Sequence, residues 1–162
     1  MACIYFDNNA SSPVLPAVLE AMLPALQGAY GNASSIHQRG QAAKAAMEHA
    51  RAQVASLAGA RPSEVVFTSG GTESDNLAIR GTVDEWMAAR GRENARPHLI
   101  ATRIEHHAVL HVCEELERQG CAVTYVRADA NGKVDPADIA AALRPDTALV
   151  SVMMANNETG VL

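Results

Sequence analysis

The stretch HLIATRIEHHAVLHVCEELERQGCAVTYV, residues 98–126, decides the fold. Its first five residues, HLIAT, read as a strand. Residues 108–119 read as a helix that Gly120 stops. CAVTYV, residues 121–126, is a second strand. Downstream, the loop ADANGKV leads to a short helix over 136–143. ALVSVMMA, residues 148–155, is nearly continuous in apolar character, as a strand covered on both faces would be. Upstream, residues 64–67 form a short β-branched run that predicts another strand. A helix follows from Thr72 to about Ala89, opened by Thr72-x-x-Asp75, a variant of the capping box, and then a polar linker over 91–97. Strands alternating with helices from Glu64 onward define the α/β class, with a mainly parallel sheet flanked by helices.

Before Glu64 the pattern is different. Residues 4–6 predict a short strand, and DNNASSP a polar turn. Pro16 stands where a first helical turn begins, and a helix through residue 27 is expected to kink at Pro24. Residues 28–40 have loop composition. Over 41–57 the pattern is helical, with Ala46, Ala50, Val54 and Leu57 on one stripe and Gly59 as its cap.

Composition narrows the function. The chain has 162 residues, and 48% hydrophobic with 19% charged residues is globular rather than disordered. A net charge of −5 without a basic stripe argues against a nucleic-acid surface. Cys3, Cys113 and Cys121 are too scattered for a disulfide framework or a CxxC zinc site. The N-terminus lacks the apolar core of a signal peptide, and no apolar run approaches a bilayer's thickness. The expectation is a soluble, cytoplasmic protein that meets neither membrane nor nucleic acid.

Ligands of open α/β sheets sit beyond the carboxyl ends of the strands, and three expected strands end in polar clusters. TSGGTES follows Phe67. Gly70 and Gly71 let the backbone turn and approach a ligand closely, and the helix from Thr72 offers unpaired N–H groups and the positive end of its dipole. Together these make an anion site, most often for phosphate, to which the Ser69 and Thr72 hydroxyls can add donors. A plain hydroxyl-capped turn fits the same residues, and the segment is neither a P-loop nor GxGxxG. RIEHH follows Thr102. His106 there can stack on a planar ligand or move protons. His107 and His111, four apart, can share a metal ion, although the inner Glu of HExxH is missing and capped-helix surface imidazoles fit as well. NNETG follows Ala155, with two amides able to donate to a ring oxygen, or simply an Asn-rich turn.

Taken in order, YFDNNASSPV, GNASSIHQRG, FTSGGTESDNLAI, IEHHAVL and SVMMANNETGVL resemble the amino-terminal half of a cysteine desulfurase of the nitrogen-fixation type. These belong to the class V aminotransferase group of fold-type I pyridoxal-phosphate enzymes. The likeness runs from Ile4 to the last residue, with ASS at 10–12 where many members have ATT. It implies an N-terminal arm over 1–15 and, over 16–162, the first and incomplete part of the large cofactor-binding domain. By this resemblance Gly71 and Thr72 hold the phosphate of pyridoxal 5'-phosphate. His106 stacks on the ring and assists proton transfer, and Asn157 lies by the ring's phenolic oxygen. The implied reaction is a sulfur transfer. L-cysteine becomes L-alanine, sulfur remains as a persulfide on an enzyme cysteine, and an iron–sulfur scaffold protein accepts it from a homodimer.

The resemblance also implies that the Schiff-base lysine, the aspartate for the pyridinium nitrogen and the persulfide cysteine lie beyond Leu162, and so that the chain is a fragment. Lys44 and Lys133 read as solvated surface lysines, and Cys113 and Cys121 as structural thiols. A selenocysteine lyase or an aminotransferase of the same group is the alternative enzyme. A truncated, non-catalytic phosphate- or partner-binding module and a metal module on His107 and His111 are the alternatives outside it.

Overall fold

The computed structural model describes residues 4–28, 30–91 and 96–162. Cys3 and residues 92–95 of the expected linker lie outside the described residues. The chain forms two compact units, one ending at Phe67 and the other beginning at Thr68.

The second unit is built on a three-stranded parallel sheet. β1 (His98–Thr102) is central, β2 (Ala122–Val126) lies on one side and β3 (Thr147–Ser151) on the other. Parallel neighbours need a crossover. α4 (His107–Arg118) carries the chain from β1 to β2, and α5 (Pro136–Ala142) precedes β3. α3 (Gly71–Ala89) packs on α4 and on β3.

Sequence pattern explains the layering. On α4, Ala108, Val109, Val112, Cys113 and Leu116 fall on one stripe and are all buried. All but Ala108 meet Ile79 and Val83 of α3 and Leu99 and Ala101 of β1 in one apolar cluster. All five residues of β1 are buried, as befits the middle strand of a covered parallel sheet. At the opposite end from the polar clusters, His98 is fully buried. Its Nδ1 lies 2.8 Å from the Thr147 hydroxyl and its Nε2 2.8 Å from that of Thr124, so one imidazole spans all three strands.

The expected strand over 148–155 stops at Ser151. Beyond it the Met153 N–H donates to Glu105 at 2.7 Å instead of to a neighbouring strand, and the chain leaves the sheet.

The first unit contains α1 (Pro16–Gln27), α2 (Gln38–Ala58) and a 3₁₀ turn, Pro62–Glu64. Pro24 lies within α1 without ending it, since the helix continues to Gln27 and the Gly28 N–H reaches the Pro24 carbonyl. α2 opens on His37, whose Nδ1 accepts the Gly40 N–H at 3.3 Å, and closes on left-handed Gly59, the expected cap. A Cβ at Gly40 would lie 2.3 Å from the Ser35 carbonyl oxygen, so only glycine lets the preceding loop fold this closely over the helix.

Three expectations here are corrected. Residues 4–6 and 64–67 form no strand, because among the described residues no strand pairs with either, and a strand exists only through its neighbours. The stripe read on α2 is also mostly exposed, Leu57 at 90%, and Ala55 is the apolar side chain that α2 buries.

Candidate functional site

The polar clusters after β1 and β3 are brought together. Glu105, only 8% exposed, presents Oε1 to the Thr102 hydroxyl at 2.7 Å and to the Met153 N–H at 2.7 Å. Alongside it, the Asn156 Nδ2 donates to the Ile104 carbonyl at 3.0 Å. Two hydrogen bonds thus fasten the loop before His106 to the loop holding Asn157.

His106 is the N-cap of α4, its Nδ1 accepting the Ala108 N–H at 3.1 Å. An Nδ1 that accepts carries no proton, so the proton of the neutral ring is on Nε2. The ring is exposed. Asn157 is exposed as well, and its Nδ2 donates to Glu158 Oε1 at 2.8 Å.

The first cluster forms the start of α3. The helix begins at Gly71 with Gly70 as N-cap, and no side chain caps it. The expected Thr72–Asp75 box is therefore absent. Instead Glu73 reaches back and takes both the Ser69 N–H and the Ser69 hydroxyl, each at 2.6 Å. Those bonds, the hydroxyl first, hold the Glu73 carboxyl below its ordinary range. Ser69 is thereby committed to a local bond rather than free for a ligand.

Among the described residues, the N–H groups of Gly71 and Thr72 have no acceptor. Neither Gly70 nor Gly71 is in the left-handed conformation, and a Cβ at either would meet nothing within 4 Å. The turn itself does not demand glycine. The uncovered donors at the positive end of a helix fit a phosphate group. They are the observation by which the residues present suit a phosphorylated cofactor.

The other candidates do not form a centre. Cys113 is buried, and that burial, with Glu105, Glu114 and Glu117 nearby, pushes its thiol up to about 11. Burial also raises the half-buried Cys121. Lys44 and Lys133 are exposed. The His107 and His111 rings stack at 5.2 Å, and among the described residues no three His, Cys, Asp or Glu side chains converge. No helix of the described residues is long and apolar enough to cross a membrane.

Sequence reasoning counted Asn156 only as one of two amides that could face a ring oxygen, and it missed the part that Asn156 and Glu105 play in joining the two loops. The signal for Glu105 was a carboxylate directly after an apolar strand, where a charge is affordable only if paired or hydrogen-bonded.

The chain belongs to the aminotransferase class-V family, whose profile matches residues 4–162. It is 52% identical over 160 residues to the cysteine desulfurase IscS of Anaeromyxobacter dehalogenans, covering 98% of this chain and 38% of that protein. It is 49% identical over 162 residues to cysteine desulfurase 2 of Trichormus variabilis, covering all of this chain and 39% of the other. Among solved structures, a NifS-like protein superposes with a TM-score of 0.87 at 42% identity, over 96% of this chain and 41% of the other. SspA in complex with cysteine gives 0.85 at 41% identity, over 95% and 43%. The chain thus spans about two-fifths of the length of the relatives it matches, and its parallel sheet with flanking helices belongs to the fold-type I architecture they share.

Proposed function

We propose that this chain is the cofactor-binding part of a pyridoxal 5'-phosphate-dependent cysteine desulfurase. The observation that carries the reading is the uncovered N-terminus of α3, with the N–H groups of Gly71 and Thr72 unpaired, in a chain about half identical to proteins named cysteine desulfurase.

In this reading Gly71 and Thr72 bind the phosphate through backbone N–H groups and the Thr72 hydroxyl. His106 would lie against the pyridine ring, its Nδ1 engaged by the Ala108 N–H, which leaves the Nε2 proton available for transfer. The Asn157 amide donates to the ring's phenolic oxygen. Bound there, pyridoxal phosphate supplies an electron sink for carbanion chemistry. The substrate is L-cysteine, in keeping with the relative solved with cysteine. The product is L-alanine, with sulfur left as a persulfide on a cysteine other than Cys113, whose buried thiol is a poor nucleophile. The proposal extends to an arm over residues 1–15 ahead of a large domain starting at 16, to a cytoplasmic homodimer, and to an iron–sulfur scaffold protein as sulfur acceptor.

The test is to feed the complete protein L-cysteine and L-selenocysteine and measure alanine and persulfide. Alanine from cysteine with a matching persulfide is expected. Alanine from selenocysteine alone would make it a lyase of that substrate, and no alanine from either would overturn the reading. Thr72→Ala should weaken retention of pyridoxal phosphate about tenfold, the effect of one charge-assisted hydrogen bond, and leave the fold intact.

A further inference from the structure

We propose that Asn156 is a positioning residue that sets the separation between His106 and Asn157, and so how well the two can hold one planar ring. The inference rests on the functional reading above.

The Asn156 side chain organises its whole loop. Its Oδ1 accepts the Glu158 N–H at 3.0 Å, the Thr159 N–H at 2.9 Å and the Thr159 hydroxyl at 3.1 Å. Its backbone closes the same turn, the N–H donating to the Val161 carbonyl at 2.9 Å and the carbonyl accepting the Gly160 N–H at 2.8 Å. The remaining polar atom, Nδ2, points away from these contacts, with the Met153 sulfur 3.5 Å from it. It donates to the Ile104 carbonyl, 52 residues away in sequence and two before His106. Asn156 therefore shapes the turn with its oxygen and anchors it to the His106 loop with its nitrogen.

Asn157 has no such anchor. It is exposed, and its side chain bonds only to the adjacent Glu158 among the described residues. Its place relative to His106 is inherited from its neighbour. Glu105 supports the same junction through Met153, but that bond enters three residues before Asn156 and reaches the turn only through the Asn156 Nδ2, which lies 3.5 Å from the Met153 sulfur. Only an amide serves at position 156. A carboxylate would keep the acceptor contacts to Glu158 and Thr159, lose the donor, and set a negative charge against the Ile104 carbonyl oxygen.

The test uses that asymmetry. N156D, N157A and the double variant are made in the complete protein loaded with pyridoxal phosphate. The readouts are the pH titration of the bound cofactor's visible absorbance, kcat and KM. Amide exchange at Glu158 and Thr159 reports whether the turn survives. N156D is expected to keep slow exchange at both amides, to move the absorbance titration in the same direction as N157A, and to lower kcat about tenfold with a smaller change in KM. In the N157A background the further effect of N156D should largely vanish, because one acts through the other. A wild-type titration and kcat in N156D, or effects that add fully in the double variant, would overturn the proposal. Should N156D fail to fold, N156S replaces it in the same cycle, keeping a hydroxyl acceptor and lacking the amide donor. Wild-type protein that holds no pyridoxal phosphate refutes the functional reading instead. The tie is then read in cofactor-free protein from the NMR signals of the His106 ring, which N156D should shift, and an unmoved ring sinks it.

Discussion

The Glu105 carboxylate and the Met153 backbone N–H meet at 2.7 Å across 48 residues of sequence. The same oxygen takes the Thr102 hydroxyl, so one buried acceptor ends β1, turns the chain out of β3 and joins the two loops. Replacing Glu105 by Ala strands two donors at a covered site, which costs about 1–3 kcal/mol. Glu105→Gln still presents an acceptor and should recover most of that loss. Urea unfolding of the two variants against wild type checks both statements, and equal stability of Ala and Gln would contradict the assignment.

His106 has one task in the fold and, under the proposed function, a second against the cofactor ring. As N-cap it satisfies the Ala108 N–H, so His106→Ala should destabilise by about 1 kcal/mol. His106→Asn supplies another good cap and should restore the melting temperature. Neither variant restores a ring, so both should shift the cofactor's absorbance and slow turnover while retaining phosphate binding. Full activity in His106→Asn would remove the ring from the mechanism.

His98 predicts how stability falls with acid. Burial, then the nearby Arg144 charge, push its pKa below the usual 6.5, against a smaller opposing pull from Asp146. The unfolded chain therefore binds the proton more readily than the folded one. The stabilisation is complete above about pH 6.5 and is lost as the pH falls from there toward the depressed folded value. Thermal midpoints measured from pH 7.5 down to pH 5 should decline more steeply in wild type than in His98→Gln, which keeps a donor and an acceptor but does not titrate.

Cys113 should be chemically silent. Its thiol, buried and raised to about 11, has almost no thiolate at pH 8. Iodoacetamide should leave it unmodified in the folded protein and label it after denaturation. Cys113→Ala should lose packing, about 1 kcal/mol, without loss of persulfide formation. Rapid labelling of folded protein at this residue would reverse the conclusion.

Elements whose signals are local were legible in the sequence. The strand at 98–102 coincides with β1, and Gly59 and Gly120 end their helices as glycine allows. What failed depends on partners. Val65, Val66 and Phe67 have strand composition, yet no strand among the described residues pairs with them. Met153 and Met154 have it too, but the Glu105 carboxylate takes the N–H that a sheet would need. At the candidate site, His106 stood out by chemical type, whereas the bond from Asn156 to Ile104 spans a distance that no local motif encodes. The capping of α3 was misread for a simpler reason. Glu73 reaches Ser69 from a spacing of four rather than three, and Thr72 plays no part.

The position of β1 between β2 and β3 bears on the order in which the molecule assembles. The His98 ring finds its first hydroxyl partner 26 residues later, at Thr124, and its second 49 residues later, at Thr147. During synthesis from the N-terminus the central strand therefore emerges before either flank, and its second edge waits longest. In that interval an apolar strand has one open side and an imidazole only half satisfied. Between the emergence of Thr124 from the ribosome and that of Thr147, that side is displayed to any strand nearby, an interval in which shielding it guards against mispairing.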